Sequence, residues 1–280
     1  MSTAAATAVN FEPTISATPE QIASFRENGF LWIPAITTQE EVARLRQIYD
    51  RLFEARVGRE EGMQFDLGGT DEDGKPARMP QILNPAKYAP ELAETLFRVN
   101  ALAISRQLLG APEATYMGEH AILKPPFNEQ DTPWHQDEAY WSPDLEYNSL
   151  SVWMPLQEAT LENGCMQFVP GSHKWEVFPH HCINNDPRIH GLEIDDPAKF
   201  SKGATACPLP PGGATFHLSR TLHYAGPNRT ANPRRAYILG FGTPARKRPT
   251  GRDFYWNRQK QTARQTRAAE AEAKKKISAC

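Results

Sequence analysis

The 280-residue sequence contains no apolar run approaching the roughly 20 residues that a bilayer-spanning helix needs, so no membrane span is expected. Cysteine is scarce. The four residues Cys165, Cys182, Cys207 and Cys280 form neither a C-x-x-C pair nor a dense framework, and reduced thiols in a cytoplasmic protein are the economical reading. Neither sign of charge is in excess: the formal net charge is −2, which gives no reason to expect nucleic acid or an anionic membrane as a partner. The opening MSTAAATAVNFEPTISATPE has neither the basic start nor the apolar stretch of a secretory signal, and residues 1–17 read as a disordered leader. Without that route the sequon Asn228-Arg229-Thr230 carries no meaning. Proline, by contrast, is plentiful. Its 24 copies imply many turns and short strands rather than a helical bundle. With 40% hydrophobic and 23% charged residues, the chain has an ordinary globular composition and enough length for a sizeable core.

Local signals then set out the elements. Thr18-Pro19-Glu20-Gln21 combines a capping hydroxyl, proline at the first helical position and a capping-box glutamine. This helix is expected to end at Asn28-Gly29 and to lead into a strand at Phe30–Ile33. A second helix starts at Thr38, with Glu41 three residues on, and its apolar positions recur at helical spacing to about Val57. Residues 58–80, rich in glycine and aspartate, read as a long mobile loop, and 90–109 as a third helix. From 115 onward the pattern becomes short β-type runs at 115–124, 132–141, 149–157, 165–169, 204–209, 213–218 and 234–243. The interval 176–203 is polar and reads as a second long insertion. After Asp253 the chain becomes charged and alanine-rich. The organisation expected is a single domain over 18–255 with a charged C-terminal helix or tail over 256–280. Its fold class is mainly β with bracing helices.

Two stretches carry chemistry. In DTPWHQDEAYW, His135 and Asp137 stand at i and i+2, so on a strand they project side by side and suit two adjacent positions on a metal. Alone, a His-x-Asp pair is a weak signal. In GGATFHLSRTLHYAGPNRTANPRRAYILGF, His217 and His223 flank a strand end, and Arg234-Arg235 opens the next β-run. One histidine from that stretch would complete two imidazoles and a carboxylate, the facial set of non-haem Fe(II) oxygenases. An arginine opposite would offer a planar fork for a dicarboxylate cosubstrate.

The stretches WHQDEAYW, NGCMQFVPGSHK and FHLSRTLHYAGPNRTANPRRAY, with FRENGFLWIP near the start, resemble the phytanoyl-CoA dioxygenase (PhyH) family of Fe(II)- and 2-oxoglutarate-dependent oxygenases over about residues 18–245. The resemblance implies a double-stranded β-helix, the cupin-like jelly roll, with iron in its mouth. It implies His135, Asp137 and His223 as the metal ligands and catalytic set. Arg234, eleven residues after His223, matches the arginine for the distal carboxylate of 2-oxoglutarate, while Trp153 and Met117 match positions lining the cosubstrate pocket. Fe(II), 2-oxoglutarate and O2 are the implied cofactor and cosubstrates, with succinate and CO2 as products. Ala225 departs from the serine the family often carries two residues after the distal histidine. Retention of the carboxylate at Asp137 favours hydroxylation or another oxidation over halogenation.

Several residues have plainer readings. His217 is the rival third ligand and reads rather as a packing or hydrogen-bonding neighbour. His180, His181 and Cys182 read as solvated loop residues, His173 as structural in its turn, and Arg220 as an ion-pair or substrate residue. Gln136 and Arg235 should point away from the site by alternation. Trp134, Tyr140 and Trp141 are either core or substrate wall. The expected activity is hydroxylation, or another oxidation, of an unactivated C–H bond in a small organic metabolite. The insertions 58–80 and 176–203 would wall the substrate. An acyl-CoA substrate, a non-catalytic metal- or 2-oxoglutarate-binding sensor and a zinc hydrolase are the alternatives. The sequence is silent on oligomeric state.

Overall fold

The computed structural model describes residues 12–278, so residues 1–11 of the expected leader, and Cys280, lie outside the described residues. The helices are α1 (Pro19–Asn28), α2 (Gln39–Glu54), α3 (Leu96–Leu109), α4 (Pro197–Phe200), α5 (Tyr255–Gln259) and α6 (Ala263–Ser278). The strands are β1 (Phe30–Ile33), β2 (Gln64–Asp66), β3 (Pro80–Leu83), β4 (Thr115–Lys124), β5 (Thr132–His135), β6 (Leu145–Glu146), β7 (Ser149–Pro155) and β8 (Met166–Phe168). They continue with β9 (His180–Cys182), β10 (Leu192–Ile194), β11 (Thr205–Cys207), β12 (Ala214–Leu218), β13 (His223–Ala225), β14 (Arg234–Gly242) and β15 (Arg246–Lys247).

Two antiparallel sheets form a jelly roll. The larger has the order β1-β12-β7-β14-β4-β3-β2, and the smaller β11-β8-β13-β5. Alternation along the central strands gives the large sheet two different faces. Leu150, Val152 and Met154 of β7, with Tyr237, Leu239 and Phe241 of β14, pack against Leu45, Tyr49, Phe97 and Ile104 of α2 and α3. The opposite parity, Trp153 with Ala236 and Ile238, turns to the smaller sheet and meets Met166, Phe168 and Ala225. Helices therefore brace one side of the sheet and leave the other free to build a cavity.

The termini of the helices follow their sequence signals. Thr18 and Gln21 form the reciprocal capping box of α1, and Gly29 ends it at φ +83°, where a side chain would be strained. A Cβ there would also run into His173 and Thr221, which gives His173 a structural role. Thr38 caps α2, but Glu41 does not reach back to it. Its carboxylate instead accepts from the amides of Leu96 and Phe97, both at 2.9 Å, and so caps α3 from a neighbouring helix.

Several assignments differ from expectation. α2 stops at Glu54 rather than Val57, and the helix expected from 90 begins at Leu96 after a single 3-10 turn at Pro90–Leu92. Residues 58–80 are an organised hairpin rather than a mobile loop. Asp66 accepts from the amides of Gly68, Arg78 and Met79 at 3.1, 2.8 and 2.8 Å, which ties the two arms of the hairpin together. The insertion 176–203 contains the β9–β10 pair, with His180 and Cys182 buried, so neither is a solvated loop residue. The strand expected over 132–141 ends at His135 and gives way to a 3-10 turn at Asp137–Tyr140.

Both ends of the described residues fold onto this body. The Thr14 and Ala17 amides donate to Asn100 and Gln107 of α3. Trp256 Nε1 donates to the Ala139 carbonyl at 2.9 Å, and Arg267 of α6 pairs with Asp71. Among the described residues no helix is long and apolar enough to cross a membrane. Replacing Glu41 with Ala leaves two helix-start amides, that of buried Phe97 and that of half-buried Leu96, unpaired and is expected to lower stability by about 1–3 kcal/mol. Urea unfolding measures this, and an unchanged midpoint would show that the inter-helix cap contributes nothing.

Candidate metal centre

The smaller sheet brings the sequence-predicted triad together. β5 and β13 are paired so that His135 stands opposite His223. Gln136 remains extended at φ −120°, ψ 130°, so Asp137 still projects on the same side as His135 although the strand has ended. The outcome is a compact donor set. One ligand atom from each of His135, Asp137 and His223 lies within 4.8 Å of the others, and among the described residues this is the one such grouping of histidine, cysteine and carboxylate side chains. Asp137 Oδ1 is 3.7 Å from His135 Nε2 and 3.5 Å from His223 Nε2.

The protein fixes how these donors present themselves. His135 Nδ1 lies 2.7 Å from the Pro133 carbonyl and His223 Nδ1 2.9 Å from that of Thr221. A carbonyl only accepts, so both rings carry the proton on Nδ1 and offer the Nε2 lone pair to the centre. Burial pushes His223 well below the usual imidazole range, which keeps it in the neutral, ligating form. Burial alone would raise the Asp137 carboxyl, but the surrounding imidazoles of His223, His135 and His217 hold it well below the usual carboxylate range.

The second carboxylate oxygen is also constrained. Ser151 Oγ donates to Asp137 Oδ2 at 2.7 Å. His217 Nε2 lies 3.3 Å from the same oxygen without hydrogen-bond geometry, and neither of its ring nitrogens has a partner. His217 is thus a neighbour of the carboxylate and not a member of the compact donor set. Behind the triad, the Gln136 side chain points away, as alternation predicts, donates to the Arg220 carbonyl at 2.9 Å and accepts from the Phe178 amide at 2.8 Å. The Gln136 amide donates to His180 Nε2 at 3.2 Å. Buried Glu138 pairs with Arg220 at 3.1 Å and Arg252 at 2.5 Å, so Arg220 is an ion-pair residue.

Above the triad opens a cavity of about 590 Å³. Both insertions supply wall, as expected: Leu67 and Met79 from one, Ile183, His190 and Leu192 from the other. Tyr140 and Trp141 line it too, whereas Trp134 stacks on Tyr224. At its deep end stands Arg234. This side chain is 1% exposed, has no carboxylate partner among the described residues, and keeps a buried Nε without a hydrogen bond. Burial pushes its guanidinium down to about 10. Its guanidinium carbon lies 5.4 Å from the centre of the Trp153 ring. Arg235 points to the other face and pairs with Asp50 at 2.6 Å.

Lys124, directly across the ladder from Arg234, was not expected at the site. It is fully buried and donates to the carbonyls of Ala225 and Gly226 at 2.8 and 2.6 Å. Burial, then the charge of Arg234, holds its amine well below the ordinary range. Two basic side chains are therefore buried side by side, and no carboxylate pairs with Arg234 among the described residues. Ala225 lines the cavity beside them and brings no hydroxyl. Met117 is a bulged residue at the rim, 45% exposed, at the opposite end of β4 from Lys124 and Arg234. Ser151, His120 and Lys124 were all legible in principle, since each shares strand parity with an inward-facing neighbour.

Comparison with known proteins agrees with this geometry. The family model for phytanoyl-CoA dioxygenase (PhyH) matches residues 25–236. The chain belongs to the phytanoyl-CoA dioxygenase family. It is 28% identical over 233 residues to a probable phytanoyl-CoA dioxygenase of Caenorhabditis elegans, covering 78% of this chain and 72% of that one. A probable alpha-ketoglutarate-dependent hypophosphite dioxygenase of Stutzerimonas stutzeri is 25% identical over 228 residues, covering 79% of this chain and 77% of its own. Among solved structures, EvdO2 of Micromonospora carbonacea var. aurantiaca, crystallised with 2-oxoglutarate, is 40% identical, has a TM-score of 0.74 and covers 88% of this chain and 99% of its own. This member of the phytanoyl-CoA dioxygenase family is accordingly an iron- and 2-oxoglutarate-dependent dioxygenase, and its residues fit both groups. The freed Nε2 lone pairs and single carboxylate oxygen suit Fe(II), and the unpaired buried guanidinium suits a carboxylate. Removing the hydroxyl in Ser151→Ala frees Asp137 Oδ2, and metal affinity is expected to fall about tenfold. Anaerobic Fe(II) titration measures it; an unchanged Kd would remove Ser151 from the site.

Proposed function

We propose that this chain oxidises an unactivated C–H bond of a small organic metabolite, with hydroxylation as the outcome, and that His135, Asp137 and His223 hold the iron. When bound, iron and 2-oxoglutarate supply the oxidising power: O2 is consumed, the cosubstrate becomes succinate and CO2, and one oxygen atom is delivered to the substrate. The chain's own part is orientation and exclusion.

The observation that carries the reading is Arg234. A buried guanidinium with no anion is costly, and the carboxylate of a bound cosubstrate relieves that cost. The planar fork, beside the Trp153 ring, would hold the distal carboxylate of 2-oxoglutarate. Lys124 does not take the carboxylate's place, because its amine is committed to two carbonyls. With alanine at 225, the guanidinium carries the recognition that a serine there would share. Met117, at the rim, belongs on this reading to the substrate side of the cavity. Asp137 occupies the position that would have to be vacated for a halide, which favours hydroxylation. A cytoplasmic location is part of the same proposal, supported by Cys165, Cys182 and Cys207, which are all free thiols.

Adding Fe(II) and 2-oxoglutarate to the protein without oxygen is expected to give the weak visible band of the metal chelate. Asp137→Ala should abolish it, and Arg234→Ala should raise the Kd of 2-oxoglutarate about 100-fold. A band that persists unchanged in both variants would contradict the assignment.

A further inference from the structure

We infer that the substrate of this cavity is an uncharged, ring-shaped molecule held by hydrogen bonds, and that Gln81, His120 and His190 recognise it. The inference rests on the iron and 2-oxoglutarate reading and concerns the space beyond the cosubstrate.

Charge comes first. Among the described residues Arg234 is the one arginine or lysine in the cavity wall, and on the proposed reading the cosubstrate carboxylate would neutralise it. The wall has two acids. Asp137 belongs to the triad, and Glu119 is already engaged by the Ala86 amide, Arg98 and the Tyr237 hydroxyl. No ionic group is left over for the substrate. A phosphate, carboxylate or ammonium entering this space would lose its water without gaining a counter-charge.

The wall is nevertheless polar, and three of its side chains beyond the triad are placed to meet a substrate. On the inward face of β3 and β4, Gln81 sits across from Ile122, and His120 lies between Leu83 and Ile238. Neither side chain hydrogen-bonds to another protein group among the described residues, although Gln81 is only 5% exposed. From the β9–β10 segment, His190 lines the same cavity, stacks against Tyr140 with ring centres 5.9 Å apart, and makes no hydrogen bond to another protein group among the described residues. Burial, then Lys260 and Arg264, pushes this imidazole well below its usual range, so it acts as a neutral hydrogen-bonding group.

An alkyl chain filling the cavity would leave all three groups desolvated and unpaired. A neutral ring bearing hydroxyl or amide groups satisfies them. The rings of Tyr140, Trp141 and Tyr147 add flat apolar faces for its body. Polarity without charge, beside aromatic walls, is the recognition pattern the residues compose.

The test uses the Fe(II)- and 2-oxoglutarate-loaded protein. Methyl glycosides and myo-inositol serve as neutral rings, hexadecanoyl-CoA as an alkyl chain, and citrate and L-lysine as ions. At least one neutral ring is expected to shift the chelate band and to raise succinate release under O2 at least about tenfold, while the others do neither. Gln81→Leu and His120→Leu should each lower kcat/KM for that ring at least about tenfold and leave the Kd of 2-oxoglutarate within about twofold. A response to hexadecanoyl-CoA or an ion, silence from every neutral ring, or a response indifferent to both substitutions overturns the inference. Failure of the band to form at all is a distinct result that overturns the underlying reading as well.

Discussion

Arg234 is a positive charge carried into the interior of a β-sandwich, with the Lys124 amine beside it and no carboxylate paired with its guanidinium among the described residues. Proteins rarely keep an unmatched buried cation unless something binds it. The stacking of Arg234 on Trp153 and the commitment of Lys124 to two backbone carbonyls ease the burial without neutralising it. The rest of the site follows from this constraint. On the proposed reading, a cosubstrate anchored at Arg234 would reach the triad only if the triad stood on the facing sheet, which is where the β5–β13 pairing puts it.

The same economy governs the proposed ligands. Each is oriented by a neighbour behind it: a backbone carbonyl at Nδ1 of each imidazole and the Ser151 hydroxyl at the second oxygen of the carboxylate. Between the ligands, Gln136 faces backward into a ring of hydrogen bonds, and Glu138 is locked by Arg220 and Arg252. Arg252 and Trp256 come from the C-terminal part of the chain, so the backbone that carries Asp137 is buttressed by residues more than a hundred positions away. The helices α2 and α3 cover the opposite face of the large sheet. That leaves one side of β4, β7 and β14 for chemistry.

Alternation made much of this readable from sequence. Period-two parity put Arg234 inside and Arg235 outside, turned Gln136 away from the ligands, and gave the strand limits of β4 and β14 almost to the residue. The His-x-Asp pair was legible even though Asp137 is not on the strand, because Gln136 alone has to be extended for the two side chains to share a side. What stayed hidden depends on partners distant in sequence. Glycine- and aspartate-rich composition disguised the 58–80 hairpin, whose order comes from one carboxylate, Asp66, tying three amides. The polar run 176–203 concealed His180 and Cys182, buried only because β9 finds β10 and the C-terminal helices cover them. Glu41 looked like a local cap and serves another helix. Lys124 reads as one more surface lysine until its strand parity is compared with that of Arg234.

The central claim, that Arg234 is buried for the sake of an anion it binds, is tested most directly by stability with and without that anion. In the wild type, 2-oxoglutarate at 100 times its Kd should stabilise the fold by about 2.7 kcal/mol. Arg234→Leu should be at least as stable as the wild type in the absence of ligand, because it removes an unpaired buried charge, and should gain nothing from 2-oxoglutarate. A variant that is strongly destabilised without ligand, yet still stabilised by 2-oxoglutarate, would mean that Arg234 is structural and that the cosubstrate is held elsewhere.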